Sequence, residues 1–112
     1  MDKYMFFAFK GEAMCFAHVL LNAMDLKKRS VEVGIVMEGE SVKLIKELEE
    51  TDNKLFAKAK EMGLIEGVCK ACSSKLGALD YNEGTGIKLL DEMSGHPAMA
   101  TYIEKGYQII TL

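Results

Sequence analysis

The chain has 112 residues, 49% hydrophobic and 28% charged, the make-up of an ordinary globular domain rather than a disordered or membrane-embedded chain. Its 14 Lys and Arg stand against 17 Asp and Glu for a formal charge of -3, and neither sign gathers into a stripe, so nucleic acid is a poor fit as a partner. No apolar stretch reaches the roughly 18 to 20 residues that a bilayer-crossing helix needs, and the length suits one domain over residues 1–112.

Tyr4 to Phe9 is an unbroken aromatic and aliphatic run closed by Lys10-Gly11, the pattern of a strand buried on both faces of a parallel sheet. Lys10, Gly11 and Glu12 also cut it short as a signal sequence, and with no small-residue cleavage site after them a cytoplasmic location is expected. Ala13 to Arg29 places Phe16, Val19, Leu20, Ala23, Met24 and Leu26 at helical spacing and ends in Lys27, Lys28 and Arg29, where positive charge suits the helix dipole. Val31 to Met37 returns to a β pattern, which completes a right-handed βαβ unit.

Glu40 to Leu48 predicts a second helix and Leu55 to Met62 a continuation or repeat of it, with Thr51-Asp52-Asn53 a break or a kink between them. Leu64 to Cys69 reads as a third strand, Cys72 to Leu79 as a short helix beginning near Ala71, and Ile87 to Leu90 as a fourth strand. Pro97 fits the first position of a last helix that runs to about Lys105, with Gly106 as its cap and Gln108 to Leu112 as the closing strand. Strands alternating with helices call for a five-stranded parallel sheet covered on both faces, an α/β fold. The eight methionines read as soft core filler.

In such a sheet, chemistry gathers at the carboxyl ends of the strands. Cys15 falls just after the first strand, Cys69 and Cys72 after the third, and His96 after the fourth, so the topology predicts that residues distant in the chain share one edge. Three cysteines cannot all be paired internally, which leaves thiols for packing, metal ligation or reactivity. A helix start near Ala71 would favour the Cys72 thiolate, and Lys70 and Lys75 add positive charge. Cys69 and Cys72 can equally be inert packing and capping residues. Cys15 and His18 form a Cys-x-x-His pair on the first helix, where a core histidine is the plain reading and ligation the alternative. His96 reads either as a helix cap or as a proton donor beside the thiols. Gly11-Glu12 and Glu38-Gly39-Glu40 read as turn formers on the same edge.

With Gly67-Val68-Cys69-Lys70-Ala71-Cys72-Ser73-Ser74-Lys75-Leu76-Gly77 in view, the chain resembles the DsrE/DsrF-like family of sulfur-relay proteins over essentially its whole length. The resemblance implies a three-layer α/β/α sandwich with a five-stranded parallel sheet of flavodoxin-like topology, assembly into trimers or hexamers, and sulfur carried as a cysteine persulfide between donor and acceptor proteins. By its distance from Gly77, Cys69 takes the place of the sulfur-accepting cysteine, with Cys72 as its partner. Cys15, His18 and the Ser94-Gly95-His96-Pro97 loop match no relay motif.

A sulfur carrier using Cys69, Cys72 and His96, with no cofactor, is therefore the leading expectation. The alternatives are a Cys3His zinc site made of Cys15, His18, Cys69 and Cys72, which needs the loops after the first and third strands to meet, and a non-catalytic oligomeric binding module.

Overall fold

The computed structural model describes residues 2–112. β1 (Lys3–Ala8) leads into α1 (Ala13–Lys28) and β2 (Glu32–Met37), the expected βαβ unit. A 3-10 turn at Gly39–Lys43 precedes α2 (Leu44–Glu50), where one helix from Glu40 was expected. Ser41 explains the difference: its hydroxyl donates to the carbonyls of Ala8 at 2.7 Å and Glu38 at 2.9 Å, which tightens that turn against the end of β1.

Thr51-Asp52-Asn53 breaks the helix outright, because Asp52 is left-handed (φ 53) and the Asn53 side chain accepts the Phe56 N–H at 2.9 Å to start α3 (Lys54–Glu61) afresh. β3 (Ile65–Cys69) runs straight into α4 (Lys70–Lys75), so the helix expected over Cys72 to Leu79 starts and ends earlier, and beyond Gly77 (φ 74) stands a further short helix, α5 (Leu79–Glu83), that was not expected.

β4 is only Leu89–Leu90, shorter than the predicted run from Ile87, and it lies so close to β3 that a Cβ on Gly67 would stand 2.6 Å from Leu90 Cγ. α6 (Met99–Glu104) starts at Met99 rather than at Pro97, since Met93 donates its N–H to the His96 carbonyl and the chain stays extended through Ala98. β5 (Tyr107–Thr111) closes the sheet.

All five strands are parallel, in the order β4-β3-β2-β1-β5, within a three-layer α/β/α sandwich consistent with flavodoxin-like architecture. Alternation along β1 divides its side chains: Phe6 and Ala8 pack with α1, α2 and α3 through Phe16, Leu20, Ile45 and Phe56, while Met5 and Phe7 meet Val36, Leu90 and Tyr102. That second face is a thin layer under α6. No helix among the described residues is long and apolar enough to cross a membrane.

Candidate functional site

Three segments deliver side chains to the carboxyl edge of β2, β3 and β4. Glu38 follows β2 directly, Cys69 ends β3, Cys72 lies in the first turn of α4, and His96 follows β4. The ligating atoms of Glu38, Cys69, Cys72 and His96 all lie within 4.8 Å of one another. The hub is one nitrogen: His96 Nδ1 stands 3.2 Å from Cys69 Sγ, 3.8 Å from Cys72 Sγ and 3.3 Å from Glu38 Oε2.

The imidazole is held there by a tight hairpin. Ser94 (φ 50) and Gly95 (φ 89) take two successive positive φ angles, as a type I′ turn requires, and Met93 and His96 exchange backbone hydrogen bonds of 2.8 and 2.9 Å across it. The turn is clipped to α4, because Ala71 donates its N–H to the Gly95 carbonyl at 2.8 Å. Beneath it, Ser73 donates to the Cys69 carbonyl at 2.7 Å and receives a hydrogen bond from Asn82 Nδ2 at 3.0 Å, and the same amide nitrogen donates to the Val42 carbonyl at 2.9 Å. The backbone bearing the thiols is thus fixed from both sides.

The two sulfurs are not equivalent. Cys69 is fully buried and Cys72 half-buried, and all three cysteines of the chain are free thiols. The Cys69 sulfur, not that of Cys72, caps α4, receiving the Cys72 N–H at 3.3 Å. The helix start expected near Ala71 is at Lys70, so Cys69 takes the N-cap position and Cys72 lies in the first turn. Burial nevertheless pushes the Cys69 thiol up to about 12 from an ordinary 9.0, outweighing the N–H from Cys72, and the nearby Cys72 sulfur and Glu38 carboxylate push the same way. Burial likewise holds the Glu38 carboxyl above its ordinary range, which the His96 imidazole offsets only in part.

Cys15 and His18 are elsewhere. They line a separate, largely apolar hollow of about 580 Å³ with Phe9, Val19, Thr111 and Leu112, at the end of β1 and β5. His18 is exposed rather than a core histidine. The Cys3His set of Cys15, His18, Cys69 and Cys72 does not form because β2 lies between β1 and β3, and two inter-strand spacings put those strand ends about 10 Å apart.

Glu38 is the residue that sequence reasoning assigned to a turn alone. Gly39 (φ 61) does make that turn, but Glu38 itself is aimed at His96. Its place at a strand's carboxyl end, level with Cys69 one strand over, was the available signal.

In a nucleophile-base-carboxylate relay, the sulfur and the carboxylate would take opposite ring nitrogens. Here both converge on Nδ1, so the imidazole either donates a proton to Glu38 or accepts one from Cys69, according to its tautomer. The arrangement can exchange a proton between a carboxylate and a thiol, close a Cys69–Cys72 disulfide, or present four donor atoms of metal-ligand type to one point.

No protein-family model matches the chain, and no solved structure matches it. It is 36% identical over 98 residues to the uncharacterized protein MJ0733 of Methanocaldococcus jannaschii, a match that covers 85% of this chain and 78% of that protein.

Proposed function

We propose that this chain, which belongs to the same family as the uncharacterized archaeal protein MJ0733, is a cytoplasmic sulfane-sulfur carrier that loads and unloads at Cys72 and Cys69. One observation carries the reading: two free thiols of unequal exposure stand within 3.2 and 3.8 Å of one imidazole nitrogen. The likeness of the Gly67–Gly77 segment to DsrE/DsrF-like sulfur-relay proteins supports a carrier, although it gives the accepting role to Cys69, and the burial of Cys69 moves that role to Cys72 here.

Exposure orders the two sulfurs. Cys72 meets the donor first, because Cys69 is 0% exposed and its thiol is held protonated by burial. The Cys72 thiolate attacks the outer sulfur of a donor persulfide; a Cys72 S–S bond forms, the donor's S–S bond breaks, and the donor leaves as a thiolate. An acceptor thiolate can then remove that outer sulfur. Alternatively, Cys69 gives its proton to His96 and attacks the inner sulfur of Cys72, which closes the Cys69–Cys72 disulfide and expels the outer sulfur as hydrosulfide. In that second route the sulfane sulfur is reduced, the two thiols are oxidised, and a cellular dithiol must reset the pair. The partners in this reading are donor and acceptor proteins, and the resemblance adds a trimeric or hexameric assembly.

Mass spectrometry of the reduced protein after incubation with glutathione persulfide tests it. One added sulfur on the Cys72 peptide, absent from Cys72→Ser, is the expected result. Failure of both thiols to gain sulfur while small thiols in the same tube do so would remove the proposal.

A further inference from the structure

We propose that Glu38, Cys69, Cys72 and His96 also form a tetrahedral site for a divalent transition-metal cation, zinc above all, whose occupation masks both thiols. The donor set differs from the Cys3His set that the sequence offered, and it stands on the observed geometry.

Ordinary zinc bond lengths of about 2.3 Å to sulfur and 2.0–2.1 Å to nitrogen or oxygen imply tetrahedron edges of about 3.5 Å between sulfur and nitrogen and about 3.4 Å between nitrogen and oxygen. The edges from His96 Nδ1 are 3.2 Å and 3.8 Å to the sulfurs and 3.3 Å to the carboxylate. These three edges lie within a few tenths of an ångström of the ideal values, and all the remaining edges are within 4.8 Å.

The surroundings fit a cation as well. The Glu38 side chain is only 13% exposed, and among the described residues its one ion-pair partner is the same imidazole. Lys70, the nearest lysine in the chain to the cysteine pair, turns instead to Asp91 at 3.9 Å. A half-buried carboxylate facing two thiols and an imidazole lacks a fixed positive charge. The Cys72 N–H on Cys69 Sγ at 3.3 Å is the kind of outer contact that orients a metal-bound thiolate. Two sulfurs with one imidazole select zinc over magnesium or calcium. With four protein donors the tetrahedron is full, so the ion does not activate a water; it takes both thiols out of circulation and releases their protons.

The test uses the reduced, metal-stripped chain titrated with zinc chloride and with cobalt chloride. One equivalent per chain is expected, the cobalt form showing the intense visible bands of a tetrahedral ion and sulfur-to-metal charge transfer in the near ultraviolet. Zinc should also protect Cys72 from alkylation. Cys15→Ser should bind as the parent does. His96→Ala and Glu38→Gln sit at partly exposed positions, and with native circular dichroism they should lose at least the roughly 10–100-fold in affinity that even an outer-shell change costs. Absence of tetrahedral cobalt bands, or affinities untouched by Glu38→Gln and His96→Ala, would overturn the inference. Sulfur uptake at Cys72 without metal binding would sink this site and leave the carrier reading standing, and zinc binding through the four residues without sulfur uptake would do the reverse.

Discussion

The sulfur of Cys69 and Nδ1 of His96 lie 3.2 Å apart although 27 positions separate them in the chain. The contact depends on the Ser94-Gly95 turn, whose second residue has φ 89 and whose missing Cβ would stand 3.1 Å from the Cβ of Ala71. Gly95→Ala therefore forces both a left-handed alanine and a clash with α4. A loss of about 1–2 kcal/mol is expected, read as a lower urea midpoint at an unchanged slope. An unchanged midpoint would mean that the turn is not held in this form.

Alkylation should discriminate between the two sulfurs. At pH 8 the Cys69 thiol, buried and pushed up to about 12, stays protonated and covered, whereas half-buried Cys72 meets the reagent. Peptide mapping after brief iodoacetamide treatment of the metal-free protein should find Cys72 modified well before Cys69. Equal rates would contradict the burial of Cys69.

The same elevated thiol fixes a sign for alkaline stability. A group whose folded pKa lies above its unfolded value holds more protons when folded, so its contribution is fully present below about pH 9 and is lost as the pH climbs towards 12. Tyr81 and Tyr107, each raised to about 12 with Glu49 and Glu32 as acceptors of their hydroxyls, act in the same window. The comparison is therefore between the parent and Cys69→Ala in urea from pH 8 to 11. The parent should lose stability more steeply, the tyrosine contribution being common to both.

Glu38→Gln should separate stability from function. Burial raises the carboxyl above its ordinary range, so at neutral pH the folded metal-free protein holds a carboxylate that it would rather release to water. Removing that charge is expected to raise stability by on the order of 0.5 kcal/mol while impairing the site. A drop in the urea midpoint would show that the imidazole contact outweighs burial.

Asn82 braces the cluster from below. It is fully buried, and its Nδ2 spans the Val42 carbonyl and the Ser73 hydroxyl, while its Oδ1 has no partner among the described residues. Asn82→Asp replaces both donated bonds with a buried, unpaired charge, for an expected cost of about 3–5 kcal/mol. The loss should shrink as the pH falls and the aspartate protonates. Thermal unfolding at pH 8 and pH 5 reads both effects.

Much of the fold was legible because the apolar runs are clean. Tyr4 to Phe9 and Val31 to Met37 admit hardly any reading but buried parallel strands, and the carboxyl-edge rule then brings Cys69, Cys72 and His96 together. What escaped was decided by contacts outside each local window. Ser41 reaching back to Ala8 makes the turn before α2, and the hairpin bond between Met93 and His96 delays α6 beyond Pro97. Cys15 sits on the correct edge, yet strand order places β2 between it and the pair, and no local spacing reveals strand order. Glu38 was hidden by its type, since a glutamate beside a turn glycine serves the turn whether or not it faces a histidine.

The imidazole arrives between two short elements of the fold. β4 offers two paired residues and α6 a helix of six, laid over the thinner of the two apolar layers. Native-state hydrogen exchange should accordingly show the amides from Leu89 to Glu104 opening in a small excursion while β1 and β2 stay protected. Such an excursion carries His96 off and leaves Glu38, Cys69 and Cys72 in place, so the proposed cargo or ion would depart through a local breath of the chain, with the sheet intact.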